Sequence, residues 1–333
     1  MGKKVYGIGN PLMDIVVEVD EKDIASLGIH KGAMNLIDDE RLEELLAFVK
    51  EKEPTYGCGG SCPNTIITLA SLGLKTTLAG KVGHDEYGLL YKKRLQELHV
   101  TDHIALHEMN TGSSIILITS DKERTMNTYL GANRYYSEED LHLDELLESD
   151  FFHFTGYMWD TRSQQQAMMR ALNHIDPKKT TVSFDIADPL AVSRNRDAFL
   201  HLISNYADVV YANSEEARIL FNNYDPYECC KSMGKLCTTA VVKNGKLGSY
   251  ISHNKEMFTV PVQGPVPPVD TTGAGDVYAA GFIYALAHDK PIQEVGTIAS
   301  FLAGHIVQQW GAQFSKEKAA SLAASLVKGE YQL

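Results

Sequence analysis

The residues best suited to chemistry form one stretch, Asp270-Thr271-Thr272-Gly273-Ala274-Gly275-Asp276. A proline-rich approach, Pro261 to Pro268, leads into it, and a small, apolar run from Val277 to Leu286 leads out. That run has the character of a helix packed tightly against a sheet. Gly273 and Gly275 let the backbone turn sharply and bring several N–H groups to one point. The helix N-terminus adds its own free N–H groups and the positive end of its dipole. Such a place holds an anion, and holds better still an anion that gains charge during reaction. Asp276 stands inside this ring of donors. Kept ionised there, its carboxylate takes a proton from an incoming hydroxyl; the plainer alternative is a glycine turn with Asp276 as helix cap.

The rest of the chain must position that stretch. Lys4 to Ile8 reads as a first strand, ending at Gly9-Asn10-Pro11-Leu12-Met13-Asp14. Leu12 stands where a dinucleotide fingerprint needs its third glycine, and strand-like Ile15–Val19 replaces the expected helix, so a nicotinamide-dependent oxidoreductase is disfavoured. Ile15–Val19 and Ala33–Ile37 are short strands around a helical Glu21–Leu27, and Asp38 caps a helix to about Lys52. Gly59-Gly60 permits close approach to a ligand, or a hinge. Pro63 suits the first turn of the next helix and Gly73 its stop. Asn64 either supports that helix start or faces a ligand. Ile104–Leu106, Ser113–Thr119 and Arg124–Leu130 make an antiparallel-looking set.

From about Glu138 strands and helices alternate. A helix runs to Leu147, then strand Phe151–Phe154, helix Ser163–Ile175, strand Thr181–Asp185, a helix to Tyr206 and strand Asp208–Tyr211. Thr238–Lys243 is a further strand, and helices lie around Thr297–Gln308 and Lys316–Val327. This rhythm implies a doubly wound, mostly parallel sheet whose ligands gather at the carboxyl ends of its strands. Asn213 and Glu216 lie at such an end, as a helix cap with acidic first turn or as part of a site. Gly245 and Gly248, three apart after a strand, suggest a nucleotide-phosphate turn. No GxxxxGK[ST] motif occurs, so the site is not of the Walker type.

Composition narrows the choices. The 333 residues are 44% hydrophobic, enough for one large or two modest cores. The net charge of -12 argues against nucleic-acid or anionic-membrane partners. Five cysteines, no apolar leader-like start and no run approaching about 18 apolar residues lead to the expectation of free thiols and a cytoplasmic protein.

With these residues in view, the chain resembles the ribokinase-like (pfkB-type) carbohydrate and nucleoside kinases, from Asp14 to Ser315. The resemblance implies ATP-dependent transfer to a primary hydroxyl, with magnesium. It makes Asp276 the general base and Gly273, Ala274 and Gly275 the anion hole. It places Asp14 and Asn64 on the substrate's hydroxyls, Gly59-Gly60 at a lid hinge, and Arg124 on the phosphates. Asn213 and Glu216 would organise magnesium through water; Lys243 stands where relatives often have Thr, ahead of Gly245 and Gly248 at the nucleotide. Asp270, Thr272, Gly311 and Ser315 match residues that hold a monovalent cation, potassium, in several relatives. The implied domains are a large α/β body (1–10, 51–103 and 131–333) and a small β-sheet lid (about 11–50 and 104–130), as monomer or homodimer. Gly9 to Asp14, Gly59-Gly60-Ser61 with Asn64, and Phe152 to Trp159 lean towards the adenosine kinase-like branch. In the last segment, Tyr157, Met158 and Trp159 either stack on a purine or belong to the core. A sugar kinase of ribokinase or fructokinase type is the alternative, and a member that only binds ligand is disfavoured by the presence of Asp276.

Overall fold

Runs of four or five apolar residues between helical stretches become strands buried on both faces, whereas strictly alternating runs become strands with one face to a core and one to a cavity. The computed structural model describes residues 2–32, 34–121, 123–264 and 268–331. Ala33 of one expected strand, and Pro265, Val266 and Pro267 of the proline-rich approach, lie outside the described residues.

In chain order the strands are β1 (Lys4–Ile8), β2 (Leu12–Glu18), β3 (Met34–Leu36), β4 (Thr55–Gly59), β5 (Lys75–Gly83), β6 (Thr101–His107), β7 (Ser113–Ile118) and β8 (Arg124–Tyr129). They continue as β9 (Phe151–Thr155), β10 (Thr181–Asp185), β11 (Val209–Asn213), β12 (Thr239–Lys243), β13 (Ser249–His253) and β14 (Glu256–Val260). The large sheet has the order β14-β13-β12-β11-β10-β9-β1-β5-β6. It is parallel from β12 to β6 and carries β13–β14 as an antiparallel hairpin at one edge. The second sheet has the order β3-β8-β7-β2-β4.

Helices cover both faces of the large sheet. On one side Ser61–Ser71, Ala274–Ala287, Ile292–Ile306 and Lys316–Lys328 bury Ile66, Leu69, Phe282, Ile283 and Leu302 against Val5, Leu78 and Tyr211. Each such side chain contributes about 1.5–3 kcal/mol relative to exposure. On the other side Arg162–His174, Pro189–Asn205 and Ser214–Phe221 pack on Phe152, Phe154 and Phe184. Gly281 lets two helices touch: a Cβ there would lie 2.8 Å from the Ala299 Cα. Helix Ala274–Ala287 is thus seated deep in the body, with its first turn at the carboxyl ends of the strands.

In the small sheet the period of two decides what faces where. Met13, Ile15 and Val17 of β2 pack with Leu42, Leu45 and Val49 of helix Asp39–Lys50. The intervening Leu12, Asp14 and Val16 point to the opposite side, where Leu12 and Asp14 line a cavity with Ile116 and Met126. The sheet is therefore a roof over the body.

Three expectations need correction. Residues 101–107 are not part of the antiparallel lid set: β6 pairs parallel with β5 at the edge of the large sheet, after a crossover through helix Glu86–Glu97. Residues 55–59 belong to the roof, not the body, because β4 pairs antiparallel with β2; its two glycines weaken the strand signal. The segment after Glu138 is a short turn followed by helix Leu143–Leu147 rather than one helix. The hairpin β13–β14 was not anticipated. All five cysteines are free. Among the described residues no helix is long and apolar enough to cross a membrane.

Candidate active site

Gly273 is the N-cap of helix Ala274–Ala287 at φ 72°, and a Cβ there would meet the Ala312 Cβ at 2.4 Å. Only glycine makes this turn without strain. The Ala274 N–H folds back to the Thr271 carbonyl at 3.2 Å, so the donors the first turn can offer a ligand are those that follow it, Gly275 and Asp276. This corrects the expectation that Ala274 donates with its neighbours.

Asp276 is gripped from the opposite helix. Ser61 Oγ donates to its Oδ1 at 2.6 Å and Asn64 Nδ2 to its Oδ2 at 3.0 Å, while Thr65 Oγ1 donates to its backbone carbonyl at 3.1 Å. Gln313 Nε2 donates to Asn64 Oδ1 at 3.2 Å and to the Cys58 carbonyl at 2.5 Å, which fixes the amide with its nitrogen towards Asp276. Burial pushes the Asp276 carboxyl up to about 6, held back by the Ser61 and Asn64 bonds. Its side chain caps nothing, so the helix-cap alternative does not describe it. Asn64 holds this carboxylate and also lines the cavity beside it. Ser61 and Gln313 were assigned no role from sequence; the meeting of the two helices reveals Ser61, and the connection before helix Lys316–Lys328 brings in Gln313.

Asp14 lies across a cavity of about 310 Å³ whose walls include Asp276, Gly273, Asn64, Leu12, Ile116 and Tyr157. Burial raises its carboxyl to about 7, opposed by the Arg124 charge and reinforced by Asp276. Among the described residues its carboxylate accepts no hydrogen bond. A half-buried carboxylate with no hydrogen-bond donor on it is a group a ligand's hydroxyls would satisfy. Gly59 makes room for it, since a Cβ at Gly59 would sit 2.3 Å from Asp14 Oδ2. Gly60, at φ 103°, passes so close to Asn10 that a Cβ would lie 2.2 Å from its carbonyl oxygen. Tyr157 lines the cavity, but Met158 and Trp159 are core residues, which settles that alternative against stacking for those two.

Behind the anion turn stands Lys243, the last residue of β12. Its Nζ donates to Asp185 Oδ2 at 2.9 Å and lies 3.0 Å from where a Gly275 Cβ would be. A side chain at 275 would displace the ammonium, so Gly275 keeps open a path between cation and turn. Burial works against the Lys243 charge, yet the Asp185 and Glu216 carboxylates outweigh it and raise its pKa. Asp185, at the carboxyl end of β10, is a further site residue that sequence reasoning missed. Glu216 is buried and both its oxygens are held by Asn213, from the backbone at 2.7 Å and the side chain at 2.6 Å, while Asn213 caps helix Ser214–Phe221. Burial raises the Glu216 carboxyl to about 7. The cap and the site are here one arrangement. Gly245 (φ 54°) and Gly248 (φ 86°) form the turn into β13, and a Cβ at Gly248 would strike the Val260 carbonyl at 2.1 Å. The hairpin therefore needs that glycine for its own geometry.

Arg124 departs from expectation. It leaves β8 for the body, where Nη2 donates to Asp270 Oδ2 at 2.6 Å and Nη1 to Thr272 Oγ1, with the guanidinium over the Trp310 ring. Asp270 also accepts from Gly311 N at 2.8 Å and Thr272 N at 2.9 Å. Ser315 instead caps helix Lys316–Lys328 through Lys318 N at 3.2 Å. Arg124 is thus paired with Asp270 and Thr272 at the start of the 270–276 stretch. Among the described residues no three His, Cys, Asp or Glu side chains converge as a metal site.

A doubly wound sheet, a roof sheet over a cavity, and a glycine turn opening a buried helix with an aspartate in its first turn define a phosphotransferase that acts on an alcohol group. The chain belongs to the pfkB family of carbohydrate kinases, which it matches over residues 22–319. It is 30% identical to adenosine kinase from Sinorhizobium meliloti, whose structure superposes with a TM-score of 0.89 over 99% of this chain and 100% of that one. A probable sugar kinase from Rhizobium etli is also 30% identical, with a TM-score of 0.88 over 97% of this chain and 99% of that one. Adenosine kinase 1 from Arabidopsis thaliana is 23% identical over 336 residues, 94% of this chain and 96% of that one. The fold is ribokinase-like, and the similarity to adenosine kinases supports the adenosine kinase-like branch. ATP is the family's phosphate donor.

Proposed function

We propose that this kinase phosphorylates the primary 5′-hydroxyl of a nucleoside, adenosine first among them. The observation that carries the reading is the make-up of the cavity. One carboxylate that accepts no hydrogen bond from the described residues, Asp14, shares the cavity with a wall of Leu12, Met34, Leu36, Ile116, Met126 and Leu130. Polar recognition suits a ribose, and the long apolar wall suits a flat base more than open water. The similarity to adenosine kinases supports the same choice.

In the proposed reaction the nucleoside's ribose hydroxyls lie on Asp14, and its 5′-hydroxyl replaces the Ser61 hydroxyl at Asp276 Oδ1. Asn64 stays on Oδ2 and keeps the carboxylate aimed. The 5′-oxygen attacks the γ-phosphorus in line, the bond from that phosphorus to the ADP oxygen breaks, and the 5′-proton passes to Asp276. The N–H groups of Gly275 and Asp276 and the Lys243 ammonium face the charge gathered on the transferring oxygens. Magnesium enters with ATP, as part of the co-substrate. It favours oxygen ligands and keeps several waters, so Glu216 and Asp185 are the residues that would meet its water shell. Gly245 and Gly248 would border the nucleotide. The roof sheet would act as the lid, with Gly59-Gly60 as its hinge.

ATP-coupled turnover across adenosine, inosine, guanosine, cytidine, ribose and fructose tests the assignment. Preference for adenosine is the expected result. Turnover of free sugars alone would keep the site and overturn the nucleoside assignment.

A further inference from the structure

We propose that Arg124 is the resident cation of the 270–276 turn, standing where a monovalent metal would otherwise be needed and tying the roof sheet to the anion hole. The inference rests on the 273–276 turn being the phosphoryl-transfer site. Resemblance assigns Asp270, Thr272, Gly311 and Ser315 to a potassium ion. In this chain those residues do not fit one. The Asp270 side chain is fully buried, at 0% exposure, and takes Arg124 Nη2 at 2.6 Å. Its Oδ2 also accepts Gly311 N, its Oδ1 accepts Thr272 N, and the Thr272 hydroxyl faces Arg124 Nη1. Ser315 is committed to its helix cap. A metal ion at Asp270 would have to share a carboxylate with a guanidinium that already neutralises it.

The chemistry favours permanence. A buried carboxylate requires a positive partner, and a guanidinium never deprotonates in the working range. Its planar fork spans Asp270 and Thr272 at once, and Trp310 covers its face with 5.4 Å from the guanidinium carbon to the ring centre. Asp270 anchors the start of the anion turn through Thr272 N, whereas Arg124 begins β8 of the roof. A single ion pair therefore joins the two halves of the cavity. Arg124 is a positioning residue, acting on the turn through Asp270.

The test is thermal unfolding of the full chain, wild type and Arg124→Met, with choline chloride exchanged for KCl at constant ionic strength, beside adenosine turnover in the same salts. The expected wild type has the same Tm and turnover in both salts. Arg124→Met is expected to lose several degrees of Tm, and amide exchange in 113–129 and 270–276 is expected to quicken together. A saturable, potassium-specific rise in wild-type Tm or turnover would overturn the proposal, and so would Arg124→Met with unchanged Tm and exchange. If Arg124→Met does not fold, the wild-type titration alone decides. Silence on every nucleoside with a flat Tm titration would count against the nucleoside reading while leaving the resident cation standing.

Discussion

The proposed base, Asp276, has one of its oxygens satisfied by a serine and the other by an asparagine. Ser61 holds Oδ1 at 2.6 Å and Asn64 holds Oδ2 at 3.0 Å, so the carboxylate is desolvated yet never bare. Both bonds favour the ionised form, against a burial that lifts the carboxyl to about 6. The base must be ionised to act, so kcat/KM is expected to fall as pH drops through about 6. Removing one charged hydrogen bond raises the pKa, so Ser61→Ala or Asn64→Ala should move the acid limb up by about one unit. A pH–rate profile checks this; an unmoved limb would mean that the two side chains only pack. Asp276 was legible from its glycine turn. Gln313, which orients Asn64 from 249 residues away, was not, because nothing local to its own stretch marks it.

At the scale of elements, strand alternation and two glycines do the positioning. β2 turns Met13, Ile15 and Val17 to the roof's core and so must turn Asp14 to the cavity. Gly59 on β4 leaves the space that the Asp14 carboxylate fills. Gly59→Ala is therefore expected to raise the nucleoside KM about tenfold or more while changing kcat less, as displacement of a binding group does; initial-rate kinetics read the split. Gly273→Ala forces a side chain to φ 72° against Ala312, with an expected loss of about 1–3 kcal/mol in denaturant unfolding. The βα alternation after Phe151 was readable because parallel strands buried on both faces are continuous apolar runs. β4 and β6 were misassigned because neither run is apolar enough to say which sheet it joins. Pairing partners decide that, and pairing is not a local property.

The whole molecule carries a net charge of -12 and encloses carboxyls whose burial raises them: Asp14 to about 7, Glu216 to about 7 and Asp276 to about 6. In the unfolded chain these groups titrate near their ordinary values of 3.8 and 4.5. The folded protein thus holds more protons between those limits, and the stability they contribute is present at low pH and lost as pH rises through about 6–7. Calorimetry of the ligand-free protein should accordingly give a higher Tm near pH 5.5 than near pH 8; the opposite slope would mean that these groups are solvated. Burial at the meeting of roof and body raises Asp14 and Asp276, burial within the body raises Glu216, and at Asp276 it makes the carboxylate a stronger base. The measurement that tests the central claim most directly pairs turnover with binding in Asp276→Asn, assayed with MgATP and adenosine. General-base catalysis predicts kcat lower by roughly 10²–10⁴-fold, with calorimetric affinity for adenosine largely intact. Near-normal turnover, or a loss of binding that parallels the loss of rate, would contradict it.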